Sequence, residues 1–400
     1  MPIDLELDDT VKVVRDFVHS FAQEKLRPLA READTKEELP VETIRQLGEL
    51  AGNRASVTPE ERVESSGDGR KKIAAMIAVV GSEELAWGDA AVLLNIPGPG
   101  LAAPSIIASG TEGQKKKFLR DIFNVDSDEP RFGALAVTEA QAGSDVSNVQ
   151  MTAVKDGDEW VLNGTKVFCT NGARAEIVIV NATLDKGSGR EGQKFFVVPK
   201  GTEGFTVGKL EKKLGIRASE TAELIFDDCR IPFDNILGGT EALEPKGSGF
   251  KGTMKAFDSS RPSVAAMALG IGRAAYEYVR DWVAAELPMT TSFPRKAAIE
   301  QKLAQMKREL GAARGLVWQA AWMADNEIPN SSQASMSKAY APLAAMRTCI
   351  GAIQIMGPEG YSKEHLVEKW FRDIKVYDIF EGTGQIQRVV ISRKVLGRLD

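Results

Sequence analysis

Histidine is scarce in this chain, which has only His19 and His365 among its 400 residues. This scarcity argues against histidine-dependent catalysis and a histidine-rich metal site, so general base chemistry falls to a carboxylate. Cysteine is also rare: Cys169, Cys229 and Cys349 are odd in number and widely spaced. They argue against a disulfide framework and a zinc site, and they favour a reducing compartment. No metal site is predicted.

The chain also lacks an excess of basic charge and any long apolar run. It has 51 lysines and arginines against 56 aspartates and glutamates, a formal net charge of −5. That balance lacks the overall basic charge typical of proteins that bind nucleic acid or an anionic membrane. No apolar run approaches the roughly 20 residues of a membrane helix. Residues 1–6 are acidic and lack the layout of a signal peptide. These features predict a cytoplasmic protein that binds neither nucleic acid nor membrane.

The helical period dominates both ends of the chain. Apolar residues recur at i, i+3, i+4 and i+7 over residues 14–21, and Pro28 is predicted to close that helix. Beyond residue 241, long alanine-rich helices are predicted over 264–283, 297–322 and 335–356. Helices of this length usually pack as a bundle. We therefore expect helical regions before and after a different central region.

Short apolar runs between turn residues characterise the central region and predict a compact β domain with antiparallel pairing. Here residues 160–162 and 165–168 are predicted to pair as a hairpin across Asn163-Gly164. The absence of repeated βαβ units argues against a Rossmann fold. The predicted fold class is α+β, with an N-terminal α-helical domain (1–130), a middle antiparallel β domain (131–240) and a C-terminal helical bundle (241–400).

Two short motifs carry most of the chemical information. Residues 379–387, Ile-Phe-Glu-Gly-Thr-Gly-Gln-Ile-Gln, place Glu381 after two bulky apolar residues and before a Gly-Thr-Gly turn. This pattern is typical of a partly desolvated carboxylate used as a base. Taken alone, Glu381 could equally face solvent or cap the following helix. Residues 137–145, Val-Thr-Glu-Ala-Gln-Ala-Gly-Ser-Asp, form a polar loop whose backbone can approach a planar, phosphate-bearing cofactor.

Together, these motifs and the α–β–α order resemble the acyl-CoA dehydrogenase family of flavoproteins over nearly the whole chain. The resemblance implies FAD as cofactor and oxidation of an acyl-CoA thioester to the trans-2-enoyl-CoA. A carboxylate removes the α-proton, the β-hydrogen passes as hydride to flavin N5, and the electrons go to an electron-transferring flavoprotein. Glu381 stands at the family's base position. Some branches place the base immediately before an arginine that here would be Arg261, but this chain has Ser260 there.

The resemblance also implies which residues bind. Thr138 and Thr170 would hydrogen-bond the flavin, and an aromatic side chain at Phe168 would shield it from water. Arg261 would contact substrate, or alternatively form a structural ion pair between helices. The cofactor set comprises Leu135, Val137, Thr138, Gly143, Ser144, Phe168, Thr170, Gln354, Gly357, Thr383 and Gln385, with Gln354 and Gly357 reaching the FAD of a neighbouring subunit. The substrate set comprises Ser144, Phe257, Asp258, Arg261 and Gly382.

One segment departs from the family pattern. After Tyr278, relatives generally carry an arginine and then Phe-Gly-Lys/Arg-Pro, which grips FAD across a dimer interface. Here Arg280 and Arg295 are the candidate substitutes. The departure leaves open a partner subunit of a hetero-oligomer with weak FAD binding of its own. The substrate could also be carried on an acyl carrier protein. A nucleic-acid-associated member is disfavoured by the acidic balance. The family is commonly tetrameric, so we expect a homotetramer, a dimer of dimers.

Overall fold

The computed structural model describes residues 6–51, 72–123, 129–243, 249–287 and 291–397. The described N-terminal part is helical. Its helices are α1 (Asp9–Phe21), α2 (Ala30–Lys36), α3 (Val41–Ala51), α4 (Ala74–Gly88), α5 (Ala103–Ser109), α6 (Glu112–Lys115) and α7 (Asp121–Phe123).

The predicted helix stop at Pro28 is wrong. The chain continues from α1 through a π-helical turn, Ala22–Leu26, and a 3-10 turn, Arg27–Leu29, directly into α2. Pro28 lies in the first turn of the 3-10 segment. A proline is tolerated there because the missing N–H would have had no partner within the turn.

A seven-stranded sheet occupies the centre of the chain. Its strands lie in the order β1-β4-β2-β3-β7-β6, with β5 paired to β4. The strands are β1 (Phe132–Ala136), β2 (Thr152–Asp156), β3 (Glu159–Thr170), β4 (Ala175–Thr183), β5 (Gln193–Pro199), β6 (Phe205–Leu210) and β7 (Thr221–Pro232).

Pairing within this sheet is mixed rather than purely antiparallel. The pairs β2–β3, β3–β7, β4–β5 and β6–β7 are antiparallel, as predicted. However, β1 runs parallel to β4, and β2 meets β4 in parallel at one residue pair. Parallel neighbours need a long crossover connection. The whole β2–β3 hairpin lies between β1 and β4 in the chain and supplies that connection.

The hairpin predicted at Asn163-Gly164 is also wrong. Both residues lie inside β3, and the actual reversal joins Asp156 to Glu159 through Gly157 and Asp158. Asn163 instead exchanges hydrogen bonds with Asp228 at an irregularity of the β3–β7 ladder. Gly164 has φ +147°, and a Cβ there would lie 2.8 Å from the Cβ of Met151. Glycine is therefore required by close packing in the strand, and not by a turn.

Six helices complete the described chain. They are α8 (Gly249–Glu286), α9 (Phe293–Asp325), α10 (Ser331–Met356), α11 (Pro358–Tyr361), α12 (Val367–Ile374) and α13 (Gly384–Leu396). The three long predicted helices are confirmed as α8, α9 and α10, each longer than predicted. Among the described residues, no helix is both long and apolar enough to cross a membrane.

The N-terminal and C-terminal helices share one apolar core. Leu85 of α4, Ile271 of α8 and Trp370 of α12 belong to the same buried cluster. Charged groups also cross between these helices. Arg273 of α8 donates to Glu84 of α4 at 2.7 Å. Burial opposes ionisation of Glu84, but the guanidinium outweighs it and holds the pKa of that carboxyl below its usual range. The two helical parts are thus fastened together beside the β sheet.

Candidate active site

The predicted base lies on the short connection between α12 and α13. A 3-10 turn, Lys375–Asp378, follows α12, and Glu381 comes just before α13. Glu381 has φ +56°, in the left-handed region that side-chain-bearing residues seldom occupy. Gln387 holds this backbone, because its Nε2 donates to the carbonyl oxygens of Glu381 at 3.3 Å and Gly382 at 3.1 Å. Strained backbone maintained by its surroundings is a recurrent feature of functional sites.

The carboxyl group of Glu381 has a defined hydrogen-bond donor. Ser260 of α8 donates its hydroxyl hydrogen to Oε2 at 2.9 Å. Removal from water raises the pKa of the Glu381 carboxyl above its usual value. The Ser260 hydrogen bond and the positive charges of Arg261 and Lys338 oppose this rise. A carboxylate with a raised pKa, partly exposed and oriented by a hydroxyl, has the properties of a general base.

Capping of the following helix is performed by another residue. The Oγ1 atom of Thr383 accepts a hydrogen bond from the backbone N–H of Ile386 at 3.3 Å, as an N-cap does. Glu381 is therefore not the cap of α13. Thr383, predicted as a cofactor ligand, has a structural role through this bond, and Gln385 is exposed on the first turn of α13.

The second motif meets the end of β3. The backbone N–H of Val167 donates to the carbonyl oxygen of Thr138 at 2.9 Å. Next to Val167 in the chain, the buried Lys166 forms an ion pair with Glu139 at 2.7 Å and donates to the carbonyl oxygen of Val137. Two segments predicted to bind the same cofactor are thus joined side by side.

Phe168 stands out at this junction. The β3–β7 ladder shifts register between Lys166 and Cys169, and Phe168 lies within the shift with φ +56°. Its side chain is 62% exposed. Burial of a phenylalanine ring stabilises a protein by about 1.5–3 kcal/mol. An exposed ring therefore indicates a surface on which a bound group packs.

The other predicted cofactor residues of the β domain differ in what they can offer. Leu135 and Val137 pack partly buried into an apolar cluster, which leaves their backbone as the part able to contact a ligand. Gly143 and Ser144 are exposed, and a Cβ added to Gly143 would meet no atom within 4 Å. Thr170 is partly buried at the end of β3, opposite Thr221.

Both motifs are tied to the same stretch of the N-terminal part, residues 90–95. The hydroxyl of Tyr377 donates to the carbonyl oxygen of Ala90 at 2.9 Å, four residues before Glu381. The side-chain amide of Asn171 donates to the carbonyl oxygen of Leu94 at 2.9 Å, three residues after Phe168. Through these two bonds, the segment of the predicted base and the segment of the predicted flavin shield both contact residues 90–95.

The other predicted residues lie away from these two motifs or have side chains outside the described residues. Gln354 is exposed and lines a separate cavity of about 220 Å³ with Lys302 and Arg347. Gly357 ends α10. The side chains of Phe257 and Asp258 lie outside the described residues, although their backbone belongs to α8.

The arginine predictions have separate outcomes. Arg261 of α8 acts electrostatically on Glu381 of the α12–α13 connection. Its substrate contact stays a prediction. Arg280 pairs with its neighbour Asp281 at 2.7 Å, and Arg295 is exposed near the start of α9. The role of either arginine in gripping FAD also stays a prediction.

The sequence reasoning missed Lys338 of α10. This lysine is fully buried, and its Nζ donates to the carbonyl oxygen of Gly382 at 3.2 Å. Burial lowers its pKa to about 8, although the charges of Asp378 and Glu381 favour the ammonium form. The only sequence signal was a lysine within an alanine-rich helix, and the burial of that helix on most sides became evident only in the structure. Within the described ranges, no group of three or more histidine, cysteine or acidic residues could hold a metal ion.

Comparison with known proteins identifies the family. Sequence models of the acyl-CoA dehydrogenase N-terminal, middle and C-terminal domains match residues 8–126, 134–229 and 247–396. The mitochondrial short-chain specific acyl-CoA dehydrogenase of Rattus norvegicus is 38% identical over 398 residues, which cover 98% of this chain and 91% of the relative. The chain belongs to the acyl-CoA dehydrogenase family.

Solved structures agree with this assignment. Butyryl-CoA dehydrogenase from Megasphaera elsdenii superposes with a TM-score of 0.86 at 35% identity, covering 98% of this chain and 100% of that chain. A chain of the structure described as the electron transferring flavoprotein of Acidaminococcus fermentans, with a mechanism of flavin-based electron bifurcation, gives a TM-score of 0.87 at 35% identity. It covers 99% of this chain and 100% of its own length. The protein is an acyl-CoA dehydrogenase, an oxidoreductase of fatty acid metabolism.

The cofactor of this family is FAD, and the described residues fit it. The exposed ring of Phe168 offers a planar apolar surface, and the space over Gly143 leaves room for a group to approach the backbone. A hydroxyl at Thr170 adds a hydrogen-bonding group at the end of the same strand. Apolar contact together with a few placed polar groups is what a flavin ring requires.

Proposed function

We propose that this enzyme removes the α and β hydrogens of a short-chain acyl-CoA to form the trans-2-enoyl-CoA, with Glu381 as the base that takes the α-proton. The observation that carries the proposal is the setting of Glu381: strained backbone, one hydroxyl donor and a pKa raised by removal from water. The short-chain preference is supported by the likeness to relatives named short-chain specific.

Proton removal depends on the charge state of Glu381. The α-proton of a thioester is weakly acidic, so the base must be ionised yet basic enough to accept it. Removal from water makes the carboxylate more basic, while Ser260, Arg261 and Lys338 favour its ionised form. Ser260 also fixes one carboxylate oxygen, which leaves the other for the substrate.

Bound FAD supplies the hydride acceptor for the β-hydrogen. The chain's own residues would hold and shield it: Phe168 would supply an apolar surface against the ring, and Thr138, Gly143, Ser144 and Thr170 would offer backbone and hydroxyl groups to its polar atoms. Leu135 and Val137 contribute backbone contacts, since their side chains pack inward. Gln354 and Gly357 would reach the FAD of a neighbouring subunit, and Thr383 and Gln385 would approach the adenosine diphosphate part of the cofactor.

The substrate meets residues from both helical and β parts. Ser144, Phe257, Asp258, Arg261 and Gly382 are the proposed contacts. The proposed domain bounds remain those of the sequence prediction, at about 130 and 240. A homotetramer and an electron-transferring flavoprotein as electron acceptor complete the proposal, the latter supported by the likeness to the Acidaminococcus fermentans structure.

The test begins with an absorbance spectrum of the purified protein, followed by anaerobic addition of acyl-CoA thioesters of increasing chain length. We expect a flavin spectrum that butyryl-CoA bleaches faster than long-chain thioesters. Bleaching by acyl groups carried on an acyl carrier protein, but not by the matched CoA thioesters, would overturn the CoA assignment. A colourless protein that cannot be reconstituted with FAD would instead favour the partner-subunit alternative.

The electron acceptor needs its own measurement. After reduction by substrate, an electron-transferring flavoprotein should reoxidise the enzyme faster than oxygen does. Equal rates with both acceptors would contradict this part of the proposal without touching the dehydrogenation itself.

A further inference from the structure

A buried lysine forms a hydrogen bond with the residue that follows the proposed base. Lys338 of α10 is fully removed from solvent, and its Nζ lies 3.2 Å from the carbonyl oxygen of Gly382. An ammonium group is almost never fully buried unless something compensates its charge. We propose that Lys338 is a positioning residue for Glu381, which holds the strained backbone of the base and stabilises its ionised form. This inference rests on the proposed function of Glu381.

Geometry supports the first half of that role. The carbonyl oxygen of Gly382 accepts two hydrogen bonds, one from Lys338 and one from Gln387 of α13 at 3.1 Å. The two donors come from different helices, so they fix the peptide that follows Glu381 from two directions. Glu381 and Gly382 both have positive φ values, +56° and +88°. A backbone in that region needs such external contacts to persist.

Charge supports the second half. Among the described residues, Arg261 of α8 and the carboxyl groups of Asp378 and Glu381 act on the ammonium group of Lys338. The α13 helix contributes the neutral Gln387. The positive charge of Lys338 in turn favours the ionised form of Glu381, against the effect of removal from water. A cation in a dry site acts more strongly than one at the surface.

A purely structural lysine would give different results from a positioning lysine. Loss of a structural lysine lowers thermal stability and leaves the pH dependence of the reaction unchanged. Loss of a positioning lysine moves the pH dependence even when the fold is kept. Buried charges can often be replaced by apolar groups of similar size without loss of stability.

The experiment compares Lys338→Met and Lys338→Gln with the native enzyme. Flavin content and thermal unfolding check the fold, and anaerobic flavin reduction by butyryl-CoA gives kcat/KM between pH 5 and 9. Both variants lack the ammonium charge, so we expect the acidic limb of the profile to move to higher pH. At pH 6 the expected loss is on the order of tenfold. Because the side-chain amide of the Lys338→Gln variant keeps a donor for Gly382, that variant should retain more of the plateau rate than the methionine variant.

Lys375→Met is the matched control. Lys375 is half-exposed and pairs with Asp378 at 3.8 Å, in the same segment as the base, and solvent screens its charge far more than that of the buried Lys338. Its profile should match that of the native enzyme. Folded, flavin-containing Lys338 variants with a native pH profile would overturn the inference. If the native enzyme itself is not reduced by any thioester, the proposed function fails first, and the two failures are thus distinguishable.

Discussion

Tyr377 and Ala90 join two distant parts of the chain at the active site, because the Tyr377 hydroxyl donates to the Ala90 carbonyl oxygen at 2.9 Å. Both residues are buried, and the bond lies four residues before Glu381. It fixes the connection between α12 and α13 against the end of the N-terminal helices. The position of Glu381, the proposed base, is therefore set by tertiary contacts as well as by its own sequence motif.

Tyr377→Phe tests this link. The change leaves the buried carbonyl oxygen of Ala90 without its donor, so the free energy of unfolding should fall by about 1–3 kcal/mol. Chemical denaturation followed by circular dichroism measures the change. Tyr361→Phe is the control, since Tyr361 is 80% exposed and its loss of a hydroxyl should leave stability unchanged. Equal stabilities for both variants would contradict the role of the Tyr377 bond.

Ser260→Ala tests the orientation of the base. The hydroxyl of Ser260 favours the ionised form of Glu381, so its removal raises the pKa of that carboxyl. At acidic pH, a smaller fraction of the Glu381 carboxyl is then ionised in the variant than in the native enzyme. The acidic limb of kcat/KM should move to higher pH, while the alkaline plateau changes by less than about tenfold. Ser260→Thr keeps a hydroxyl and should restore the native profile, and a native profile for the alanine variant would argue against the bond.

Phe168→Ala tests the shield over the flavin. The ring is largely outside the core, so its loss should leave the apoprotein stable while weakening FAD binding, by about 1–3 kcal/mol for one aromatic contact. Fluorescence titration of the apoprotein with FAD measures this. Phe17→Ala, at a ring 61% exposed on α1, is matched in exposure and should bind FAD normally. Comparable affinities in the two variants would show that Phe168 does not contact the cofactor.

Gly164→Ala tests the reinterpretation of the Asn163-Gly164 pair. A Cβ at Gly164 collides with Met151, and φ +147° suits glycine alone, so we expect a loss of about 1–3 kcal/mol in unfolding free energy. Gly311→Ala in α9 has open space around its Cβ and should be neutral or slightly stabilising. Unchanged stability of Gly164→Ala would contradict the close packing of Gly164 against Met151.

Local sequence patterns predicted much of the fold and indicated the candidate base. Long helices came from apolar periodicity, and Glu381 from a carboxylate between bulky apolar residues and a glycine turn. The hairpin was placed wrongly because Asp156-Gly157-Asp158 and Asn163-Gly164 carry nearly the same turn signal seven residues apart. Which glycine makes the turn depends on Met151, which packs against Gly164 from another part of the chain.

Tertiary packing also explains what the sequence did not reveal. The parallel pairing of β1 and β4 depends on where the β2–β3 hairpin lies, which no local pattern encodes. Lys338 reads as an ordinary helical lysine until α10 is buried on most sides and its Nζ meets Gly382. The Thr383 cap likewise excludes one of the roles for Glu381 that the motif alone left open, that of capping α13.

The most direct test of the account is the flavin reduction of Glu381→Gln by butyryl-CoA under anaerobic conditions. Glutamine has nearly the same shape and still accepts a hydrogen bond from Ser260, so the fold and the flavin spectrum should be retained. It cannot take a proton, and the rate of bleaching should fall by about 10²–10⁴-fold. A variant that bleaches at the native rate would show that another residue removes the α-proton.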